Sequence, residues 1–400
     1  ICSTLDPGKR TSSTGKIGKY MGKGERNDMN RLKRLLSLGL CTAMLLTLMA
    51  CQKDEGQKEK NNDQQQEQQN DQDNSSGDSE QEAWEKEPAY GETIHYYMAE
   101  GCTAGPLVAD LLGYYEEAGL KAEGYKGTSS NEALGSNAVQ VAAGHISSML
   151  VPCTNNVDLT FVGGAIIGCK SLYVLADSEY ETTADLKGKK ISVPNGIGAS
   201  DYNITARFFD KDGINPLEDV ELMQVEVSAC LPAMESGEIA AALLSDTYAY
   251  KLVKEGKLRV VRSLLDEDFQ TEPCCVIAMN RSFVEENPIT ARKISDCVKK
   301  AHDWIRENPE EATQMLIDEG LNSGDYDMNL ELNQSLQFGL TNDFTGAALE
   351  KIVNDYIRLG LITSTDDAAE VMKKAWHPLG DGSLGKTPEY RQPWFEKMAQ

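Results

Sequence analysis

Positive charge is what this sequence lacks most. Its 39 Lys and Arg stand against 63 Asp and Glu, giving a net charge of -24 and a pI near 4.6. A nucleic-acid binder needs basic patches that replace counterions on phosphates. A folded body that docks on anionic lipid needs them too. The balance argues against both partners. Histidine is almost as scarce, with four in 400 residues. His95, His145, His302 and His377 are scattered and form no nucleophile–histidine–acid order that points to catalysis. His95, inside an apolar strand, reads as a core histidine. No phosphate-binding loop with a Lys-Ser/Thr end is present, and the body has no membrane span.

What is present is unevenly spread. Residues 1–50 hold 9 basic and 3 acidic residues, leaving 30 and 60 from Cys51 onward (39 less 9, 63 less 3), a net of -30. Met29-Asn30-Arg31-Leu32-Lys33-Arg34 is a basic n-region, and residues 35–50 form a short apolar run flanked like a secretory signal. Leu48-Met49-Ala50-Cys51 resembles a bacterial lipobox, in which a peptidase cuts before the cysteine and the thiol carries diacylglycerol. The expectation is a signal at 29–50 with Cys51 as lipid anchor, placing the protein on the outer face of a bacterial cell membrane. Residues 1–28 have no periodicity and read as an upstream leader. Gly22-Lys23-Gly24-Glu25-Arg26 is encodable by a purine-rich ribosome-binding site, so translation is expected to start at Met29; native peptides from 1–28 would contradict that. Residues 51–90, rich in Gln, Asn, Asp, Glu and Ser, read as a disordered tether.

From Gly91 the texture alternates between strand and helix. Residues 93–98 read as a strand, and Ala104-Gly105-Pro106 opens a helix with Pro in its first turn. Leu120 to Tyr125 reads as a strand, and Ser129-Ser130-Asn131-Glu132 as a capped helix start. Ile146 to Val151 and Leu159 to Val162 read as short strands. A second unit follows: a strand Ile191-Ser192-Val193-Pro194, a glycine-rich loop from Asn195 to Asp201, and strands near 220–227, 239–244 and 258–264. Cys274 to Asn280 is again a strand. Helices over 289–307 and 309–319 start at Asn-Pro pairs, 325–375 reads as helical, and the tail 376–400 is expected to drape over the surface. Alternating strands and helices predict an α/β protein with parallel sheet.

Several motifs then fall in the order of a known family. Leu112-Gly113-Tyr114-Tyr115-Glu116-Glu117-Ala118-Gly119-Leu120 resembles the G-Y-F-x-x-E-G-L signature of solute-binding proteins of ABC importers, in the nitrate/sulfonate/taurine and thiamine-precursor-like group. Asp185 to Lys189 with Ile191 to Pro194 resembles that group's DLKGKKIGVP, Gly237 to Ala242 its GEVDAA, and Asn287-Pro288 with Trp304 to Ala312 its ENP and WIxENPEEA. The resemblance covers roughly 95–320. It implies a two-lobed type II periplasmic-binding-protein fold, each lobe a sheet flanked by helices, with two crossings between lobes. Lobe 1 would comprise 91–175 completed by 272–375, and lobe 2 176–271. It also implies a small-molecule ligand, an ABC permease with its ATPase as partners, a monomer, and neither cofactor nor catalysis.

Ligand contacts are expected where strands end and helices begin. In lobe 1 these are Cys102 and Thr103 after the first strand, Ser129 and Ser130 at a helix start, and Cys153 after the third strand. In lobe 2 they are Gly196, Gly198, Ser200 and Asp201 before a helix, whose free N–H groups suit an anion, and then Cys230, Asp246 and Tyr248. Asp246 could hold a cationic or amide group and Tyr248 could stack; a helix cap and rim packing are the plainer readings. Cys169 and Cys274 lie beside the interlobe crossings.

Seven cysteines belong to the body: Cys102, Cys153, Cys169, Cys230, Cys274, Cys275 and Cys297. All but Cys297 fall in expected cleft loops or near the crossings. Three readings stand side by side: small buried apolar residues, disulfides permitted by export, and thiols facing a soft metal or sulfur ligand. No spacing is a zinc signature. Cys274 and Cys275, as strand neighbours, are expected to point to opposite faces. The ligand is accordingly an oxoanion such as a sulfonate, a pyrimidine-like molecule or a soft-metal species. Outside transport, an enzyme resembling thiamine-pyrimidine synthase or using a thiol on the same fold, or a ligand-sensing lobe, remain the alternatives.

Overall fold

The computed structural model describes residues 79–322 and 324–398. The expected leader, signal and Cys51 lie outside them. Eleven described strands make two sheets: β1 (Thr93–Tyr97), β2 (Lys121–Tyr125), β3 (Val141–His145), β4 (Leu159–Ile167), β5 (Lys170–Leu175), β6 (Lys190–Ser192), β7 (Glu221–Met223), β8 (Ala241–Ser245), β9 (Leu258–Ser263), β10 (Cys275–Asn280) and β11 (Gln337–Leu340). The first sheet runs β11-β4-β10-β3-β1-β2 and the second β7-β6-β8-β5-β9. In the first, β1 is parallel to β2 and β3, while β10 runs antiparallel between β3 and β4. In the second, β6 is parallel to β7 and β8, and β5 is antiparallel to β8 and β9.

The sequence builds these sheets by burial on both faces. All nine residues of β4 and all six of β10 are buried, as expected of strands covered by helices on each side. Along β10, Ile277 and Met279 enter a core that includes Ile294, Val298 and Ala301 of the helix Pro288–Glu307. Val276 and Ala278 enter the opposite core, with Leu349, Ile352 and Val353 of the helix Asn342–Arg358. That alternation is the period of two of a pleated strand. Gly164 lets the second helix approach: a Cβ there would stand 2.1 Å from the Thr345 hydroxyl. Two further cores cover the faces of the second sheet.

The chain crosses between the sheets twice. It leaves β4 through Gly168-Cys169 and returns along 264–274 into β10. Lys170–Leu175, grouped with lobe 1 on sequence, pairs with β8 and β9 in the second sheet. Two apolar strands separated by two residues offer no composition shift to mark the boundary.

Four expectations are corrected. The stretch 325–375, read as helical, contains the strand Gln337–Leu340, which pairs antiparallel with β4 at the edge of the first sheet. Ile146 to Val151 is not a strand; Ile146–Thr154 is a helix, and the strand is the preceding Val141–His145. Small Val-Ala-Ala-Gly residues make the actual strand look weak beside the bulkier Ile146–Val151. The tether does not reach residue 90. A helix occupies 79–84, Trp84 is buried with its Nε1 donating to Thr290 Oγ1 at 2.9 Å, and Glu87 accepts from the N–H groups of Ile289 and Thr290 at 2.6 and 2.9 Å. A carboxylate on free N–H groups at a helix start is favourable, and one tryptophan anchors a segment whose average composition is polar. The tail is not a surface drape either. His377 and Leu379 donate to Phe161 and Val162 carbonyls at 2.9 and 3.0 Å, and Trp394 is fully buried in the second lobe.

His302 is fully buried and neither ring nitrogen has a protein partner. It fits because Gly105 has no Cβ, which would stand 2.1 Å from Nε2. Burial, reinforced by Arg306, pushes the imidazole down to about 4. The folded value lies below the ordinary one, so the unfolded chain takes up a proton that the folded chain refuses. This contribution is complete above about pH 6.5 and is lost as pH falls toward about 4. Between about pH 7 and about pH 4.5 the parent is expected to lose about 2 kcal/mol more stability than His302→Leu in urea unfolding. Parallel pH profiles for the two chains would contradict this reading.

Candidate functional site

The ends of the strands bring a histidine and three thiols together at the crossings. Antiparallel pairing sets His145, the last residue of β3, directly opposite Cys275, the first of β10. Cys274, one residue earlier, is pinned by its backbone: its N–H donates to Ile166 at 3.0 Å and its carbonyl accepts from Ile146 at 2.9 Å. Cys169 lies two residues beyond β4 with φ of +92°, a left-handed setting rare for any residue but glycine. Its carbonyl accepts from the Asp246 N–H at 3.1 Å. Cys169 Sγ is 3.8 Å from His145 Nε2 and 3.9 Å from Cys274 Sγ. Cys275 Sγ is 3.5 Å from both His145 Nδ1 and Cys274 Sγ. All four donor atoms lie within 4.8 Å of one another. Cys102, in the turn after β1, lines a cavity together with Cys169.

Cys274 and Cys275 therefore do not part to opposite faces. Regular strand begins only at Cys275, and the pairing with β4 slips between Cys275 and Val276. Strand alternation does not extend to Cys274, whose sulfur turns back toward its neighbour's.

The thiols differ electrostatically. Burial pushes the Cys274 thiol up, but hydrogen bonds from Cys169 and Cys275 outweigh it and Cys274 comes to about 6. Cys169 is lowered as well, chiefly by the neighbouring Cys102 thiol, which is itself pushed up to about 12 chiefly by Cys169. Burial above all raises Cys275. Burial works against a charged His145, yet the adjacent Cys169 sulfur carries its pKa upward. Two sulfurs, Cys274 and Cys169, are shifted toward the thiolate, while Cys102 and Cys275 are shifted toward the thiol.

Of the expected contact residues, Cys102, Cys169 and Cys274 join this cluster, and Cys275 and His145 enter it unforeseen. Cys153 and Cys230 lie elsewhere. Cys153 is buried in the first lobe, donating to the Leu159 carbonyl at 3.3 Å; Cys230 is buried in the second, 3.5 Å from Ser192 Oγ. Thr103 turns back to the Glu100 carbonyl at 3.1 Å. Ser129 caps its helix by accepting from the Glu132 N–H, and Ser130 begins that helix. Gly196 and Gly198 have φ of +90° and +81° in the loop before the helix Ser200–Lys211. Asp201 pairs with Lys170 and accepts from the Asn195 N–H at 3.1 Å, and Ser200 Oγ is 3.3 Å from Lys170 Nζ. Asp246 accepts from Ser171 at 2.8 Å, Tyr173 at 2.7 Å and Trp394 at 3.4 Å, while burial raises its pKa. Tyr248 is exposed on the rim.

The cluster separates two cavities between the sheets. Cys102 and Cys169 face one, with Asp246, Leu332, Phe338 and Trp394; Cys274 faces the other, with Ile204, Arg207 and Glu272. The lobes also touch directly. Asn203 donates to the Ser147 carbonyl at 2.8 Å, and Arg358 grips Asp210 through two bonds of 2.5 and 2.6 Å. Among the described residues no helix is long and apolar enough to cross a membrane.

Two helix-covered sheets joined by two crossings, with strand ends and helix starts meeting between them, define the periplasmic-binding-protein fold. The alkanesulfonate-binding protein SsuA of Xanthomonas axonopodis pv. citri, solved with MOPS, aligns with a TM-score of 0.55 over 71% of this chain and 97% of its own, at 17% identity. The nitrate-binding protein NrtA of Synechocystis PCC 6803 aligns with a TM-score of 0.55 over 71% and 85%, at 14% identity. At such identities the likeness is one of fold. A Brucella abortus protein named only for binding is 26% identical over 222 residues, 53% of this chain and 66% of its own length, just under two thirds of that relative. The NMT1/THI5-like family model matches residues 102–312, and the chain belongs to that family.

Proposed function

We propose that this protein is an extracytoplasmic solute-binding lipoprotein. It holds a small molecule between its lobes and delivers it, unchanged, to an ABC permease powered by an ATPase. Cys51 is its lipid anchor, it acts as a monomer, and it needs no nucleic acid. The observation that carries the reading is the pair of crossings, Gly168-Cys169 and 264–274, as the covalent links between two separately cored sheets. Such a layout lets the lobes hinge on a guest. Family membership supports it. The guest is a sulfonate or other oxoanion, a pyrimidine-like molecule or a soft-metal species. The site choices left from the sequence, Thr103, Ser129, Ser130, Gly196, Gly198 and Tyr248, are its proposed polar and stacking rim.

A second reading, a thiol-dependent enzyme, draws on Cys274 near 6 beside His145. The two separate by stoichiometry. Incubated without oxygen with the small-molecule fraction of spent medium, the full chain should deplete one species by at most one equivalent and release it unchanged on denaturation. Depletion beyond one equivalent with a new mass would support the enzyme instead. Cys51→Ala should move the protein from the membrane fraction into the medium; retention on the membrane would rule out the anchor.

A further inference from the structure

We infer that His145, Cys169, Cys274 and Cys275 form a binding site for one zinc ion at the junction of the two crossings. The inference concerns the site alone and stands whether or not the protein serves an importer. Three separate stretches of chain deliver the donors: the end of β3, the exit from β4 and the approach to β10. A tetrahedron with zinc–sulfur bonds of about 2.3 Å has edges of about 3.8 Å. The sulfur pairs Cys169–Cys274 and Cys274–Cys275 stand at 3.9 and 3.5 Å. His145 offers one ring nitrogen, either Nε2, 3.8 Å from Cys169, or Nδ1, 3.5 Å from Cys275. With one donor atom per residue, all four lie within 4.8 Å of one another. Three sulfurs and one imidazole nitrogen are a set that zinc accepts in closed structural sites. The set offers no oxygen to calcium or magnesium.

The surroundings agree with that assignment. Cys169 is held at φ +92°, a backbone setting that costs free energy and persists where the surroundings impose it. Merely burying a thiol does not require it. Cys102 stands outside the four but lines the same cavity as Cys169, in the place of an outer neighbour to the ligands. Zinc binding releases one proton from each cysteine that becomes a thiolate ligand. Three thiolates and a dication leave one net negative charge. Cys169 also lines a cavity beside the cluster, shared with Cys102. Because one ligand belongs to each crossing and two to the β3–β10 pair at the centre of the first sheet, the ion ties the outward and return crossings together.

The test is anaerobic zinc titration of the full, reduced chain against a chromophoric chelator, with cobalt(II) as a spectroscopic probe. The expected result is one equivalent bound, and a tetrahedral cobalt spectrum with thiolate charge-transfer bands. The double variant Cys169→Ser/Cys274→Ser should bind zinc about 100-fold more weakly or worse. Cys153→Ala and Cys230→Ala, far from the cluster, should bind as the parent does. Because the cobalt spectrum is read on the parent chain, a variant that fails to fold does not blunt the test. No zinc uptake by the reduced parent, copper(I) bound in its place, or an undiminished affinity in the double variant would each overturn the assignment.

Discussion

Arg207→Met should lower unfolding stability by about 3–5 kcal/mol, the cost of leaving buried charges unpaired. Arg207 sits on the second-lobe helix Ser200–Lys211 and is 6% exposed. Its guanidinium meets both oxygens of Glu272 at 2.5 and 2.9 Å and Asp355 at 3.1 Å. Glu272 lies on the return crossing, and Asp355 on the helix Asn342–Arg358 of the first lobe. Phe269 packs under the guanidinium with 5.5 Å between centres. Burial opposes the charge on Arg207, but Glu272 outweighs it and raises its pKa; methionine would fill the volume and remove the counter-charge. Adding Glu272→Gln to the variant should recover part of the loss, because one uncompensated carboxylate is then gone. Urea unfolding reads both. A loss under about 1 kcal/mol for Arg207→Met would mean that the triad is solvated and does not tie lobe to crossing.

Trp394→Ala should cost about 3–5 kcal/mol, the range for emptying a large core site. The residue comes from a tail that starts on the first sheet, passes the return crossing and ends in the second lobe. On the way Arg391 N–H donates to Gln270 at 2.9 Å, and Gln270 donates back to the Arg391 carbonyl at 2.7 Å. Trp394 then stands 5.1 Å from the Tyr250 ring and 5.6 Å from Phe395, with no exposed surface. Its Nε1 reaches Asp246, and it lines the cavity shared with Cys102 and Cys169. Alanine would therefore unfold the second lobe more easily and also enlarge the cavity beside the thiols. Trp394→Phe should cost less, since most of the packing stays and mainly the bond to Asp246 is lost. Thermal unfolding distinguishes these outcomes; equal melting of parent and Trp394→Ala would place the tail outside the core.

How much of this was legible beforehand depended on local signals. The helices Pro288–Glu307 and Pro309–Asp318 were readable because Asn-Pro pairs mark their starts and an apolar face repeats along them. The two-lobed order was readable through motifs such as Gly237 to Ala242. The thiol cluster was half readable. Cys169 and Cys274 stood out as neighbours of the crossings, but His145 was hidden by assigning the strand to Ile146–Val151 instead of Val141–His145. Its pairing with Cys275 depends on which strand inserts antiparallel between β3 and β4, and no local pattern encodes that. Trp394 was missed for a related reason: a Gly/Pro-rich, charged tail looks solvated on average, while one indole decides where it goes.

The central claim is that the two sheets close on a guest by turning about the crossings at 168–169 and 264–274. Small-angle scattering tests it most directly. The full chain, emptied by anaerobic unfolding and refolding, is measured before and after addition of the small-molecule fraction of spent medium. The account predicts a smaller radius of gyration once one equivalent of guest is bound, and a return to the starting value when the guest is dialysed away. A guest bound at one equivalent with scattering unchanged would contradict it.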